Sequence, residues 1–207
     1  METAERNHYL SRALLCVGFF LAGLAIHLTA GMEWASLDLN ATRSGEVWRL
    51  ITGHLTHLDW HHFYLNMAAL TLSIVVFHRD VLLRDWIGSF FFVSIFSSLG
   101  MCYVYAEFDR YVGFSDVIHG WILLGAASIA HREPKLATAI FVLFWLKIVE
   151  EHYQFDFFTS YGLEVNIAKE SHIYGALGGI LYSLLFIPSF RGAVKKLLPR
   201  RAHMGKE

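Results

Sequence analysis

Three prolines in 207 residues, two cysteines and no excess of either charge set the first limits on this sequence. So few prolines, with no low-complexity run, leave little room for a disordered linker, and a single domain over residues 1–207 is expected. Cys16 and Cys102 both fall in apolar stretches, where cysteine acts as a small hydrophobe and says nothing about redox compartment. Seventeen Lys and Arg against eighteen Asp and Glu leave a formal charge of −1. Without a basic field, nucleic-acid binding is not expected. Charged residues make up 17% of the chain, hydrophobic ones 55% and aromatic ones 15%, with a mean hydropathy of +0.42. A soluble domain carries about 25% charged residues. The shortage points to a chain that needs lipid.

A membrane-spanning helix requires roughly 20 mostly apolar residues, or about 17 where the bilayer thins. Six stretches are read as spans, the fourth and fifth of them short, and an all-α integral membrane bundle of six helices is predicted, with its core at about 13–190. They run from Ala13 to Ala30, Phe63 to Phe77, Trp86 to Ala106, Ser115 to Ala130, Leu136 to Ile148 and Ile173 to Phe190. The first is too polar at its C-terminal flank to read as a cleaved signal peptide alone. Arg and Lys on alternate sides number twelve against four, with Lys147 inside the fifth span. That excess places both termini in the cytoplasm. The starts of the second, fourth and sixth spans then share the outer side.

Ionisable residues inside lipid are costly enough to be functional hypotheses by default, and here they gather at those three starts. Gly53 to His62 leads into the second span and on to Asn66; Gly113-Phe114-Ser115-Asp116 opens the fourth; Ser171-His172 opens the sixth. Serine is a poor nucleophile unless a base takes its proton, and histidine has a suitable pKa. Ser115 as nucleophile and His172 as base are the expected pair. Gly175 and Gly179 allow close helix approach, with Gly120 and Gly125 as small counterparts on the fourth span. His62 and Asn66, spaced i and i+4, share a helix face and can donate to an oxyanion.

Each feature has a plainer reading. Serine at a helix start is most often an N-cap, His172 alone could be an interfacial histidine, and the glycines could serve packing only. His27, His54, His61, His78, His119, His131 and His152 are read as structural, and Trp48 and Trp60 as an interfacial aromatic belt. The joint pattern of three elements with complementary roles outweighs the separate readings.

Glu46-Val47-Trp48-Arg49, followed by His57, His62 and Asn66, resembles the first loop and second helix of the rhomboid intramembrane serine proteases. Gly113 with Ser115 resembles their nucleophile motif, and His172, Gly175 and Gly179 resemble their base-bearing helix. The resemblance covers about Glu46 to Gly179. It is greatest to the rhombosortases, the bacterial branch, through Gly53-His54 with His57, Trp60 two residues before His62, and His119-Gly120 after the serine. It implies a Ser115/His172 dyad without a third acidic member. Oxyanion donors would be His62, Asn66 and the Ser115 backbone N–H, with His57, Gly113, Gly175 and Gly179 in support. It further implies a bacterial inner-membrane protein, its site facing the periplasm, that cleaves exported proteins. Those transmembrane substrates would carry a C-terminal anchor of a glycine-rich site, a hydrophobic helix and a basic tail. No cofactor or metal is expected, and membrane lipid is the surrounding partner. One residue departs from the pattern: many rhomboids have glycine after the serine. Asp116 stands there instead, a carboxylate expected to alter the nucleophile's field or crowd the substrate.

Three alternatives stand beside this reading, the first within the same class and two from other classes. One is a general rhomboid protease of other membrane substrates, and another is a non-catalytic rhomboid-like protein that binds membrane helices. The third is a membrane metal oxygenase, since His57, His61 and His62 resemble one histidine box of the desaturases; no second box is present. A single zinc on those three imidazoles is chemically conceivable and not expected.

Overall fold

The structure, a computed structural model, describes residues 2–105, 108–153 and 169–197. In chain order the helices are α1 (Glu2–Leu28), α2 (Gly31–Trp34), α3 (Leu39–Arg43), α4 (Arg49–Thr52), α5 (Trp60–Phe77) and α6 (Leu83–Gly100). They continue with α7 (Ser115–Ile129), α8 (Pro134–Tyr153), α9 (Lys169–Phe186) and α10 (Pro188–Leu197). The one addition to an all-helical chain among the described residues is a short antiparallel pairing of β1 (Leu37–Asp38) with β2 (Arg110–Tyr111). Among the described residues, three helices are long and apolar enough to cross a membrane, at Glu5–Leu28, Trp60–Phe77 and Leu83–Tyr105. A fourth joins them if α9 and α10, bent by 92°, form one broken span.

The sixth stretch is predicted to run to Phe190, and the structure ends it earlier. α9 stops at Phe186, and Pro188 opens α10 in a new direction. Proline has no N–H to continue the ladder and biases its predecessor away from helical geometry. The end of the third stretch at Ala106 and the basic tail residues Arg200, Arg201 and Lys206 lie outside the described residues.

α7 occupies the centre of the bundle. Apart from Ser115 and Ile122, every residue from Asp116 to Ile129 is buried, as suits a helix apolar on all sides. Phe114 and Trp121 pack against Phe90, Trp86 and Phe19 in edge-on and stacked contacts. α1 and α5 instead show apolar stripes outward, Leu10, Leu14, Val17 and Leu21 on α1 and Leu72, Val75 and Val76 on α5. Those faces match lipid.

The first loop is fastened from within. Arg49 is buried and donates to the Ser36 and Glu33 carbonyls at 2.7 and 2.9 Å, and to the Glu46 carboxylate at 2.6 Å. β1 then holds the segment before Ser115 in register through Leu37↔Tyr111, and the Gly113 N–H donates to the Gly53 carbonyl at 3.2 Å.

α7 and α9 meet through glycine. A Cβ on Gly175 would collide with the Asp116 carbonyl oxygen and lie 2.6 Å from its carbon; one on Gly120 would lie 2.8 Å from the Gly175 carbonyl oxygen. Gly179 presses on the Gly120 backbone in the same way. Gly125, proposed from sequence as a further counterpart, faces the Phe77 ring of α5 instead. Backbone cannot swing aside as a side chain can. Gly175→Ala is therefore expected to cost about 1 to 3 kcal/mol, read as a lower melting temperature in detergent. Gly18→Ala, with nothing within 4 Å of the added carbon, should melt like wild type. Equal melting of the two variants would show that the α7–α9 contact yields easily.

Candidate active site

Gly113 sets the geometry ahead of the serine. Its φ of +128° lies where side chains are strained. A Cβ there would fall 2.9 Å from His62 Nε2 and 3.8 Å from Asn66 Nδ2. The bare glycine lets two side chains of α5 close over the turn. Asp59 fixes where α5 begins, its carboxylate accepting from the His62 N–H at 2.7 Å in an N-cap. His62 thus enters in the first turn and Asn66 one turn later on the same face.

Ser115 is the first residue of α7, so its backbone N–H has no partner within the helix. Its Oγ lies 2.9 Å from Nε2 of His172, in the first turn of α9. His172 is 4% exposed. The glycine contact one turn further on draws these two helix starts together.

The other ring nitrogen of His172 also has a partner. Nδ1 lies 2.9 Å from the Glu151 carboxylate, near the C-terminal end of α8. Glu151 pairs in turn with Lys147 one turn earlier on α8. The Lys147 ammonium is 3.2 Å from His119 Nε2. His119, read from sequence as structural, stacks on the His172 ring at 4.0 Å and 13° and donates from Nδ1 to the Ser115 carbonyl at 2.6 Å. Glu151 is not among the residues expected from the sequence, because the apolar run of the fifth stretch ends at Ile148 and leaves it outside. The i, i+4 pairing of Lys147 with Glu151 was the available signal.

Among the described residues, His119, Glu151 and His172 are the group whose ligand atoms converge, within 4.8 Å. His57, His61 and His62 form no such group. Lys147 already brings a cation against His119 and Glu151.

Of the two effects expected of Asp116, the structure bears on crowding. Asp116 neither faces the nucleophile nor crowds the approach to it: the side chain is fully buried and lies 3.0 Å from His54 Nδ1. The same carboxylate oxygen accepts the Val117 N–H at 2.8 Å. His54 Nε2 contacts the Ser94 carbonyl at 3.0 Å and Ser98 Oγ at 2.9 Å. One helix position past the serine turns the side chain by about 100°, toward the first loop and α6. The pair pins the start of α7. Asp116→Ala would leave the His54 ring without that partner and is expected to lower stability by about 1 to 3 kcal/mol. An unchanged melting temperature would show that the pair contributes nothing.

His57 sits beside the site, 1% exposed, edge-on to the His62 and Phe63 rings at 5.2 Å from each. Burial, then the neighbouring His62, holds its pKa down to about 3. It is therefore a neutral imidazole near pH 7. Trp48 and Trp60 are 48% and 42% exposed.

The family model for the Rhomboid domain matches residues 44–189, well over half of the chain. The chain belongs to the rhomboid family. No curated protein matches it. Its family is of the intramembrane-protease type and acts on transmembrane substrates, in keeping with the membrane-spanning helices described above. In this rhomboid the matched segment holds every residue just described around Ser115, from His54 through His172 to Gly179. α1 lies ahead of it.

Proposed function

We propose that this rhomboid is an intramembrane serine endopeptidase, with Ser115 as nucleophile and His172 as general base. The observation that carries the reading is the 2.9 Å approach of His172 Nε2 to Ser115 Oγ across two glycine-packed helix starts. The Ser115 hydroxyl donates to Nε2, which takes the proton as Oγ attacks the scissile carbonyl. The oxyanion forms beside the N–H of Ser115, which has no partner within α7, with Asn66 and His62 as further donors. His172 then passes its proton to the departing amine, and water releases the acyl group. His57, Gly113, Gly175 and Gly179 support this arrangement through packing.

α7 is 15 residues long, about 22 Å, against about 30 Å of hydrocarbon. With its far end at one interface, Ser115 lies below the opposite surface. Water must reach it there, and a substrate helix must unwind locally to present a carbonyl. We read the chain as one domain over 1–207 with six crossings, both termini cytoplasmic and the site toward the periplasm of a bacterial inner membrane. The preferred substrates are those of a rhombosortase, exported proteins with C-terminal glycine-rich transmembrane anchors. His54 bonded to Asp116 and His119 against His172 give two of the residues behind that narrower resemblance a physical role. A fluorophosphonate probe tests the chemistry: it should label the wild-type protein and leave Ser115→Ala unlabelled. Equal labelling of both would end the assignment of Ser115.

A further inference from the structure

We infer that Glu151 is a positioning residue for His172, so that the catalytic unit is a Ser115–His172–Glu151 triad. The inference rests on the serine-protease reading above and adds a residue to it. Glu151 accepts a hydrogen bond from Nδ1 of His172 at 2.9 Å, while Nε2 faces Ser115 Oγ at 2.9 Å. A carboxylate at Nδ1 places the ring proton there. Nε2 is then the bare nitrogen, the tautomer that can accept the serine proton. As Ser115 loses its proton to Nε2, His172 becomes an imidazolium with a counter-charge already in contact.

The surroundings favour this role over an incidental ion pair. Glu151 is 22% exposed on its side chain, His172 5%, so the contact is largely shielded from water. Each neighbour of the pair is itself held. Lys147 binds the second carboxylate oxygen of Glu151, which leaves Oε2 for the histidine. His119 covers one face of the His172 ring, fixed by the Ser115 carbonyl at one nitrogen and Lys147 at the other. Contributions from α7, α8 and α9 thus fix the plane and the tautomer of one imidazole. The Lys147–Glu151 pair is itself partly exposed, 37% and 22% on the side chains, and such an i, i+4 pair adds little stability, so stability alone does not account for a carboxylate held against His172.

Glu151→Gln and Glu151→Asp, made in the full-length protein in detergent, separate the possibilities. A fluorophosphonate gives both a maximal rate of Ser115 modification and a half-saturating concentration. For Glu151→Gln the maximal rate is expected to fall about 10- to 100-fold, with half-saturation and melting temperature unchanged. Glu151→Asp, which keeps the charge, should recover part of that rate. Labelling of Glu151→Gln at the wild-type rate would overturn the inference and leave the Ser115–His172 reading intact. A fall in both variants matching only the loss of folded protein would also overturn it, as a purely structural role. Failure of the wild-type protein itself to label at Ser115 would instead bring down the underlying reading. If Glu151→Gln does not fold, the maximal rate of Glu151→Asp per folded molecule decides, and it must exceed that of Glu151→Ala.

Discussion

Ser115→Ala and His172→Ala are each expected to abolish processing of a membrane-anchored substrate, by at least about 10⁴-fold, while the protein accumulates normally in the membrane. Neither change should disturb the fold much. Ser115 contributes one half-buried hydroxyl at a helix start, and that start is held by the Asp116–His54 pair and by Gly113. Removing the His172 ring leaves Glu151 paired with Lys147, so no carboxylate is stranded. The double variant should be no worse than either single one, because nucleophile and base act in one step and the second loss removes nothing further. Processing measured in vivo, with membrane-fraction blots to normalise for abundance, reads all three. A double variant far below both singles would mean that the two residues act independently, and the shared step would have to be abandoned.

The convergence of three helix starts could be read from the sequence because lipid makes polar residues conspicuous. Gly175 and Gly179 marked the face on which α9 would touch another helix, and the small residue opposite was Gly120. Direction around a helix axis was harder to read. Asp116 follows Ser115 in sequence, yet its side chain leaves α7 toward His54, and only the packing of the first loop reveals that partner. Gly125 was misassigned for the same reason: five residues beyond Gly120, it faces the Phe77 ring on α5. Glu151 was lost to a boundary. An apolar count stops at Ile148, but hydrogen bonding carries α8 on to Tyr153, and that last turn brings the carboxylate to His172. The end of α9 was legible and missed, since Pro188 inside an apolar run is itself a stop signal.

Asn66→Ala is expected to turn substrate over about 100 to 1,000 times more slowly, roughly 2.7 to 4 kcal/mol, without losing stability or substrate binding. A helix-bundle asparagine would ordinarily be suspected of bridging two helices, and its removal would then cost about 1 kcal/mol of stability. The environment of Asn66 argues otherwise. It is 5% exposed, and its Nδ2 has no hydrogen-bond partner among the described residues. The amide lies over Gly113, two residues before the serine. An unpaired buried donor costs about 1 to 3 kcal/mol, so removing Nδ2 sacrifices no bond among the described residues and stability should hold or rise slightly. What the protein loses is a donor that engages only when charge develops on the substrate oxygen, and such a loss appears in kcat rather than KM. Steady-state cleavage in proteoliposomes beside thermal melting in detergent makes both readings in one preparation. An Asn66→Ala protein that melted early but cleaved at the normal rate per folded molecule would give Asn66 a structural role. Oxyanion stabilisation would then fall to the Ser115 N–H and His62.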